Sequence, residues 1–382
     1  MFNAFRNSDL AYYLYTAFVI ILGIGSLVFF YFMVTGFNIG VYNPNTLVGN
    51  VYVGGLNEEQ ARNKVVDQVA VWFNDDDIVY EIGYQGYYME VDRDIFSIDV
   101  NATFNNISEG TRNSLAISID EDALNELETK LYSEAFMDGL EDTFSFESVM
   151  DHVYNDAAEL KQFSRHQLND HAVDEQYGED LIHSVSVPGY LDSDVASIIE
   201  RIEAVNPERT FLVPSHEIFS LLDAFPTSLS SDEFNVIGSG ILDLILPTEI
   251  EINALTYNML LRDVTDNPFT GRSVLINRNQ HYDFRIENGT YINYKIYFYE
   301  TADGELGLEL RGAPSLNEIE LTREEILLEY EPAPEGATIT REGEDGMVIL
   351  ITRDVHDIYG ELRSSTLKVF EYYEPLNPVY EE

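Results

Sequence analysis

The residues of this chain that could do chemistry are histidines and carboxylates, because the sequence has no cysteine. Disulfides, thiol nucleophiles and thiolate metal sites are therefore excluded. The seven histidines are His152, His166, His171, His183, His216, His281 and His356. Metal ligands on one helix face stand four positions apart, whereas His166 and His171 are separated by five positions. The sequence has no HExxH pattern either, so it predicts no metal site.

A nucleophile is equally hard to assign. Ser215-His216-Glu217 places the three residue types of a hydrolytic triad in a row. Working triads assemble in space from separate segments, so adjacency is not evidence for one. The chain also lacks GxSxG, Walker and GxGxxG motifs. No catalytic residue and no cofactor-binding residue is predicted.

The acidic residues leave one enzyme class, the glycosidases, unexcluded. A glycosidase needs two carboxyl groups roughly 5–10 Å apart across a cleft. With 68 Asp and Glu in the chain, some pair meets that distance by chance. The sequence therefore leaves enzyme activity uncertain, with a non-enzymatic role favoured.

Tyrosines form two groups that could contact a ligand, namely Tyr84, Tyr87 and Tyr88 in the first half and Tyr291, Tyr294, Tyr297 and Tyr299 in the second. Exposed aromatic rings could stack on the sugar rings of a glycan. The alternative is that these rings form cross-strand pairs within a sheet. Because a strand exposes only one face, the structural interpretation is favoured, and the ligand-binding residues stay unassigned.

The charge balance restricts the possible partners. The 382 residues include 21 Lys and Arg against 68 Asp and Glu, which gives a net charge of −47. Nucleic acid and anionic lipid both require clustered basic residues, so neither is an expected partner. The acidic residues are spread along the chain, which is typical of a solvated surface adapted to high salt or alkaline surroundings. The alternative is cation binding at 75–77 or 342–345, but neither cluster has the ligand spacing of a calcium loop.

A membrane segment is predicted near the N-terminus. No charged residue lies between Asp9 and Glu58, and 10–35 is the most apolar part of that stretch. About 20 apolar residues span a bilayer, so this segment is long enough to be a transmembrane helix. A cleaved signal peptide is the alternative, but its apolar region would be shorter and followed by a small-x-small cleavage site.

Orientation follows from the basic residues on either side of that segment. Arg6 precedes it, and no Lys or Arg follows until Arg62. The positive-inside rule then places 1–9 in the cytoplasm and the acidic remainder outside the cell.

The rest of the chain predicts an α+β fold in two parts. After a Gly- and Asn-rich linker at 36–50, residues 51–135 alternate short strands with helices capped by Asn57 and Asp120, which is typical of a small α+β domain. Residues 136–180 form an acidic connector with a helical pattern. Residues 181–382 begin with a helix over 192–204 and end in antiparallel strands.

The strands of the second part are predicted from period-two alternation and turn signals. They are Ser273–Ile276, Tyr282–Glu287, Tyr291–Glu300, Leu306–Arg311, Met347–Arg353 and Thr366–Tyr373. Asn288-Gly289 and Asp303-Gly304 are predicted hairpin turns between them. A helical turn is predicted at 218–224, and 234–258 is a long apolar segment interrupted by Pro247.

The order of these features resembles a known arrangement. VYVGGLNEEQARNKV at 51–65 and SLAISIDEDALNELETKL at 114–131 resemble the opening and closing blocks of the YoaR-like putative peptidoglycan-binding domain. Residues 206–224, 235–255 and 271–300 are similar to successive blocks of the vancomycin-resistance W (VanW) family, and 348–380 resembles the β tail that often closes such proteins. The family's triple glycine followed by a Cys-Gln pair is replaced here by Gly238-Ser239-Gly240-Ile241, so no thiol role carries over.

This resemblance implies a cell-envelope protein of a Gram-positive-type bacterium. The expected function is non-catalytic binding of peptidoglycan or another wall glycan by a protein anchored through its N-terminal helix. Two alternatives are a scaffold or assembly factor that binds another envelope protein, and a wall hydrolase with a carboxylate site.

Overall fold

A computed structural model describes residues 2–36, 40–174, 176–188, 194–258 and 269–381. Helices and antiparallel sheets are mixed throughout, so the predicted α+β class is confirmed. The chain folds into two compact units. The first unit comprises Met1–Ile82, Glu90–Thr129 and Glu147–His166. The second comprises Gly83–Met89, Lys130–Phe146 and Gln167–Glu382, so the predicted connector at 136–180 is shared between the units.

The elements of the first half are, in chain order, α1 (Phe2–Gly36), β1 (Leu47–Val48), β2 (Val51–Tyr52), α2 (Glu58–Asn74), β3 (Val79–Tyr84), β4 (Tyr87–Glu90), β5 (Phe96–Asp99), α3 (Val100–Asn105), β6 (Arg112–Asn113), β7 (Ala116–Ile119), α4 (Glu121–Ser133), α5 (Phe146–Ala158) and β8 (Phe163–Gln167).

Those of the second half are β9 (Asp180–Val187), α6 (Val195–Val205), β10 (Thr210–Val213), β11 (Glu217–Ser220), α7 (Leu221–Ala224), α8 (Ser231–Ile245), β12 (Glu251–Ala254), β13 (Arg285–Asn288), β14 (Tyr294–Glu300), β15 (Leu306–Gly312), β16 (Glu318–Leu328), β17 (Thr338–Arg341), β18 (Gly346–His356), β19 (Leu362–Tyr373) and β20 (Val379–Glu381).

Helix α1 contains a segment that could cross a membrane. Tyr12–Met33 has a mean hydropathy of 2.3, and none of it is buried against the rest of the protein. A signal sequence near the N-terminus would have the same properties. The linker predicted at 36–50 includes 37–39, which lie outside the described residues.

The first unit is built around the chain's single tryptophan. Helix α2 begins at a capping box in which Asn57 and Gln60 bond to each other's backbone, as the sequence predicts for Asn57. Trp72 near the end of α2 is fully buried and meets Tyr80 edge to face at 5.4 Å. The Trp72 indole and the Tyr80 hydroxyl both donate to the carbonyl oxygen of Lys161, at 3.1 and 3.0 Å. The buried indole N–H and phenolic O–H therefore each have a hydrogen-bond acceptor.

In the second unit, helix α8 lies on a four-stranded antiparallel sheet of order β10-β14-β15-β9. The helix starts at a capping box of Ser230 and Glu233 and is buried along most of its length. Gly238 and Gly240 allow the close approach, because a Cβ on Gly240 would lie 2.7 Å from Leu308 and one on Gly238 2.8 Å from Ile276. Gly238 and Gly240 therefore have a packing role in this chain.

The second unit also contains two three-stranded sheets, with orders β11-β13-β12 and β16-β18-β19, and the two-stranded sheet β17-β20. Strand β16 was not among the predicted strands, because Glu318, Glu320, Glu324 and Glu325 hide its alternation. The hairpin predicted at Asp303-Gly304 is confirmed, since β14 pairs with β15 and Gly304 has φ +76°.

The hairpin predicted at Asn288-Gly289 is wrong. Strand β13 pairs with β11 and β12, whereas β14 pairs with β10 and β15, so the turn connects two different sheets. Asn288-Gly289 lies in a turn as predicted, but strand pairing depends on the partners against which each strand is buried.

The strand predicted over 273–276 is also wrong, because its backbone bonds to side chains. The amide of Ser273 donates to the buried carboxylate of Glu371 at 2.7 Å. The amide of Ile276 donates to Asn235 Oδ1 at 2.8 Å. A buried segment without a ladder must satisfy its donors in this way.

Three other predictions differ from the structure in the type of an element or in where it begins or ends. The predicted helical turn at 218–224 is a strand, β11, followed by the single turn α7. The apolar segment 234–258 is helix α8 and then β12. The predicted start of α6 at 192 lies outside the described residues, and the described helix begins at Val195.

Candidate functional site

The second unit contains a cleft of about 540 Å³, called here the Tyr291 cleft. Its walls combine aromatic rings, side-chain amides and one ion pair. The residues that define it are Gln167, Asn169, Tyr177, Glu179, His216, Tyr291, Asn293 and Lys295.

The floor of the cleft is the turn that connects β13 to β14, and Asn288 holds its shape. This side chain is fully buried and donates from Nδ2 to the carbonyls of Val213 at 3.1 Å and Ile292 at 2.7 Å. Its Oδ1 accepts from the backbone N–H and the hydroxyl of Thr290, at 3.1 and 2.7 Å. Four hydrogen bonds to one buried amide fix the backbone that carries Tyr291.

The turn between β10 and β11 forms an adjoining wall. Ser215 donates from its backbone to Asn293 Oδ1 and from its hydroxyl to the carbonyl of Thr290, both at 2.8 Å. His216 has φ +57°, in the left-handed region that histidine adopts more readily than most residues. Its ring meets the ring of Tyr291 edge to face, with centroids 4.7 Å apart.

Further side chains at the cleft are held by the hairpin tip at 83–89, by the end of strand β8 and by the segment that follows it. The hydroxyls of Tyr88 and Tyr291 share a hydrogen bond of 2.8 Å, and Gln167 Nε2 donates to the Tyr88 hydroxyl at 2.7 Å. Asn169 Nδ2 donates to the Tyr177 hydroxyl at 2.8 Å and to the carbonyl of Tyr291 at 3.3 Å. These bonds occupy the amide nitrogens and orient both amides.

The side-chain amide oxygens of Gln167 and Asn169 differ from the amide nitrogens in their hydrogen bonding. Gln167 Oε1 and Asn169 Oδ1 are buried, and within the described ranges neither accepts a hydrogen bond. An unbonded buried acceptor has a free-energy cost of about 1–3 kcal/mol, and water or a ligand donor relieves it. These two oxygens are therefore acceptor positions beside the rings of Tyr177 and Tyr291.

The lysine of the cleft is paired with a glutamate, and Asp170 adds a further carboxylate to the lining. Lys295 donates to Glu179, and this hydrogen bond raises the pKa of the Lys295 ammonium and lowers the pKa of the Glu179 carboxyl. Burial raises the pKa of Tyr177 well above its usual range, so its hydroxyl is neutral at physiological pH. The one cation of the cleft is thus already neutralised, which favours an uncharged ligand group there.

A second cleft of about 270 Å³, called here the Arg363 cleft, shares Tyr291 and Ile292 with the first. Its other defining residues are Gln85, Gly86, Glu249, Gly289, Thr290, Asn317 and Arg363. Glu249 accepts from the Ser315 hydroxyl at 2.7 Å and from Asn317 Nδ2 at 2.9 Å. The guanidinium of Arg363 lies over the ring of Tyr87, 5.3 Å from its centroid.

Of the tyrosines singled out in the sequence, the structure brings Tyr88 and Tyr291 together at the cleft. Tyr84 and Tyr294 are almost fully buried, as the structural interpretation predicts for alternate residues. Tyr297 donates to Glu179 at 3.4 Å beside the Tyr291 cleft.

Ser215, His216 and Glu217 do not form a triad. The Ser215 hydroxyl is bonded to a backbone carbonyl, the His216 ring packs on Tyr291, and Glu217 belongs to strand β11. The arrangement builds the cleft wall and does not activate the serine.

The remaining histidine and acidic candidates lie elsewhere. His166 Nε2 lies 2.9 Å from Asp156 in the first unit, and its ring is 5.6 Å from that of His152. Within the acidic cluster 75–77, Asp75 accepts from the backbone of Asp77 at 3.0 Å and so forms a turn. Across the residues that the structure describes, no group of three or more His, Asp or Glu is arranged to hold a metal ion.

Sequence reasoning missed the amide residues of the cleft. Gln167, Asn169 and Asn293 lie in short polar stretches without a recognisable spacing, so they have no signal of their own. The available signal was the Asn288-Gly289 turn beside Tyr291, because turns next to aromatic strand ends commonly carry binding residues.

Comparisons with known proteins add little to this description. No model of a known protein family matches the chain, and no curated protein matches it. Among solved structures, the crystal structure of HP0197-G5 is similar to a small part of it, with 19% identity and a TM-score of 0.14. That alignment covers 17% of this chain and 96% of the other, and at this TM-score it carries no argument about fold or function. Membership of the VanW-like family with a YoaR-like domain stays a prediction.

Proposed function

We propose that this protein is a membrane-anchored, extracytoplasmic envelope protein of the VanW-like type, which binds peptidoglycan or another wall glycan without catalysis. The observation that carries the proposal is the Tyr291 cleft. Aromatic faces beside fixed amide groups suit a sugar ring, since its C–H faces are apolar and its hydroxyl and acetamido groups form hydrogen bonds. The buried oxygens of Gln167 and Asn169 supply acceptors for such donors.

The charge distribution supports a glycan over an anionic wall polymer. A net charge of −47 repels teichoic acid and other polyanions. The Lys295 ammonium in the cleft is already bonded to Glu179. Binding should therefore rest on stacking and neutral hydrogen bonds, which salt does not screen.

The anchor is part of the proposal. Tyr12–Met33 is long and apolar enough to span the membrane, and we propose that it stays attached with its N-terminus in the cytoplasm. The two compact units then lie outside the cell, where the wall is accessible.

A non-catalytic role is favoured by the state of two cleft carboxylates, Glu179 and Glu249. Glu179 is bonded to Lys295, and Glu249 accepts bonds from Ser315 and Asn317. A general acid needs a raised pKa, and ion pairing lowers the pKa of Glu179 instead.

A scaffold that binds another envelope protein is the second candidate, and the outer face of the sheet β16-β18-β19 supports it. Leu367 and Phe370 on β19 are 54% and 51% exposed, and Ile326 on β16 is 41% exposed. Exposed apolar side chains on the two edge strands of one sheet are typical of protein interfaces.

Sedimentation with purified peptidoglycan tests the first candidate. The full chain in a neutral detergent should pellet with the wall saturably at both about 0.05 M and 1 M NaCl. Tyr291→Ala should weaken binding about tenfold, because truncating an aromatic contact costs about 1–2 kcal/mol of binding free energy. Tyr380→Ala is the matched control, since Tyr380 is exposed and lines neither cleft.

A folded chain that stays in the supernatant at both salt concentrations would contradict wall binding. The scaffold would then be the better function, and Phe370→Ser should reduce capture of an envelope partner.

A further inference from the structure

The two clefts of the second unit share two lining residues. Tyr291 lines both, and Ile292 beside it is also common to both. On one side the Tyr291 ring meets His216 at 4.7 Å. On the other it faces Gly86, where an added Cβ would lie 3.5 Å from the ring. A ligand that lies against Tyr291 can therefore extend into both clefts.

The two clefts differ in whether their basic side chain is paired with a carboxylate. In the Tyr291 cleft Lys295 is paired with Glu179. In the Arg363 cleft the carboxylate of Glu249 takes its hydrogen bonds from Ser315 and Asn317. Arg363 has no carboxylate partner in the part of the chain that the structure describes, whereas nine other arginines there form ion pairs. In so acidic a chain, an unpaired arginine at a cleft is an available anion-binding group.

The guanidinium is also positioned in advance. Its stacking on Tyr87 restricts the long side chain, and Tyr87 is itself held by donating to Asn317 Oδ1 at 2.6 Å and by stacking on Phe136 at 6.3 Å. A stacked guanidinium keeps its N–H edge free for two parallel hydrogen bonds to a carboxylate.

We infer that the two clefts form one groove and that Arg363 binds a carboxylate of the ligand whose uncharged, amide-bearing part occupies the Tyr291 cleft. This inference rests on the proposed function and specifies its ligand as an acetamido sugar with a free acid group, which wall glycan carries where the stem peptide is absent from the lactyl group. N-acetylmuramic acid combines an acetamido group, a sugar ring and a lactyl carboxylate in one molecule. Its methyl ester is the matched uncharged probe.

The test is calorimetric titration of the full chain in neutral detergent, at low salt, with each of the two probes. Wild type should bind the acid about tenfold more tightly than the ester, because hydrogen bonds to a charged group are the stronger ones. Arg363→Gln should remove this difference by lowering the affinity for the acid to that for the ester. Arg341→Gln is the control, since Arg341 is an exposed arginine of β17 that lines neither cleft.

Equal affinities of wild type for the two probes would overturn the inference, and so would a preference for the acid that survives Arg363→Gln. The same preparations are sedimented with peptidoglycan. Wall binding without a preference for the acid keeps the proposed function and overturns the groove. A preference for the acid that depends on Arg363, in a chain that does not bind the wall, supports the groove and overturns the proposed function.

Discussion

The phenolic oxygens of Tyr88 and Tyr291 lie 2.8 Å apart, although 203 positions separate the two residues in the chain. The bond joins the hairpin tip at 83–89 to the turn that follows β13, inside the second unit. Gln167 donates to the same Tyr88 oxygen, so three distant segments meet at one wall of the Tyr291 cleft.

The Tyr88–Tyr291 bond should contribute measurably to stability. Tyr88→Phe leaves Gln167 Nε2 without an acceptor and should lower the free energy of unfolding by about 1–2 kcal/mol. Tyr291→Phe keeps that acceptor and should cost less. Urea unfolding of both single variants and the double variant should give a coupling energy of about 0.5–1.5 kcal/mol. Strictly additive effects would show that the two hydroxyls do not interact, and Tyr380→Phe serves as the neutral control.

Asn288 should be the most sensitive single residue of the cleft. Asn288→Ala leaves the carbonyls of Val213 and Ile292 without their side-chain donor in a fully buried place. We expect a loss of about 2–4 kcal/mol in the free energy of unfolding, from unmet hydrogen bonds and a small cavity. Thermal unfolding by circular dichroism measures it. Asn279→Ala on an exposed turn is the control, and an equal loss there would contradict the assigned role.

Gly240 should tolerate no side chain. In Gly240→Ala the new Cβ meets Leu308 at 2.7 Å and Val187 at 3.3 Å in the core between α8 and the sheet. Overpacking should exceed the gain of about 1 kcal/mol in helix propensity and give a net loss of about 1–2 kcal/mol. Gly289→Ala, which has open space around its Cβ, should show no loss by the same urea unfolding. A stabilised Gly240→Ala would mean that α8 does not pack this closely.

Asp156 should make the first unit sensitive to acid. Burial alone would raise the pKa of Asp156, but hydrogen bonds from Lys161, Ser164 and His166 outweigh it and lower the pKa. Because the folded pKa lies below the unfolded value of about 3.9, the stabilisation is complete above that pH and is lost as the pH falls through the folded pKa.

The measurement is the difference in free energy of unfolding between wild type and Asp156→Asn. It should be largest near pH 6 and shrink below about pH 4. Comparing the two chains removes the general effect of neutralising the other acids. Asp67→Asn, at an exposed position of α2, should show no such pH dependence. A difference that stays constant down to about pH 2 would contradict the depressed pKa.

The acidic surface should make the folded chain more stable at high salt concentration. The melting temperature of the full chain should rise between about 0.05 M and 2 M NaCl, because screening weakens repulsion among the carboxylates. KCl should act equally, since screening depends on ionic strength. A melting temperature no lower at the smaller concentration would contradict adaptation to high salt.

Local patterns determined much of this protein by themselves. The apolar stretch before Val34, the cap at Asn57, the alternation of Tyr291–Glu300 and the turn at Asp303-Gly304 each act over a few residues. Such features depend on backbone geometry and hydrophobic period, which neighbouring residues fix. The α+β class and the apolar N-terminal helix followed from them.

Only the tertiary structure decided which strands pair and where the cleft lies. Asn288-Gly289 carries a hairpin signal, yet its flanking strands join different sheets because each is buried by distant partners. Tyr88, Gln167 and Tyr291 become one wall only when long-range packing brings their segments together. Contacts between side chains that are distant in the chain leave no spacing in a single sequence. The sequence therefore specified many of the elements, whereas the packed fold specified the site.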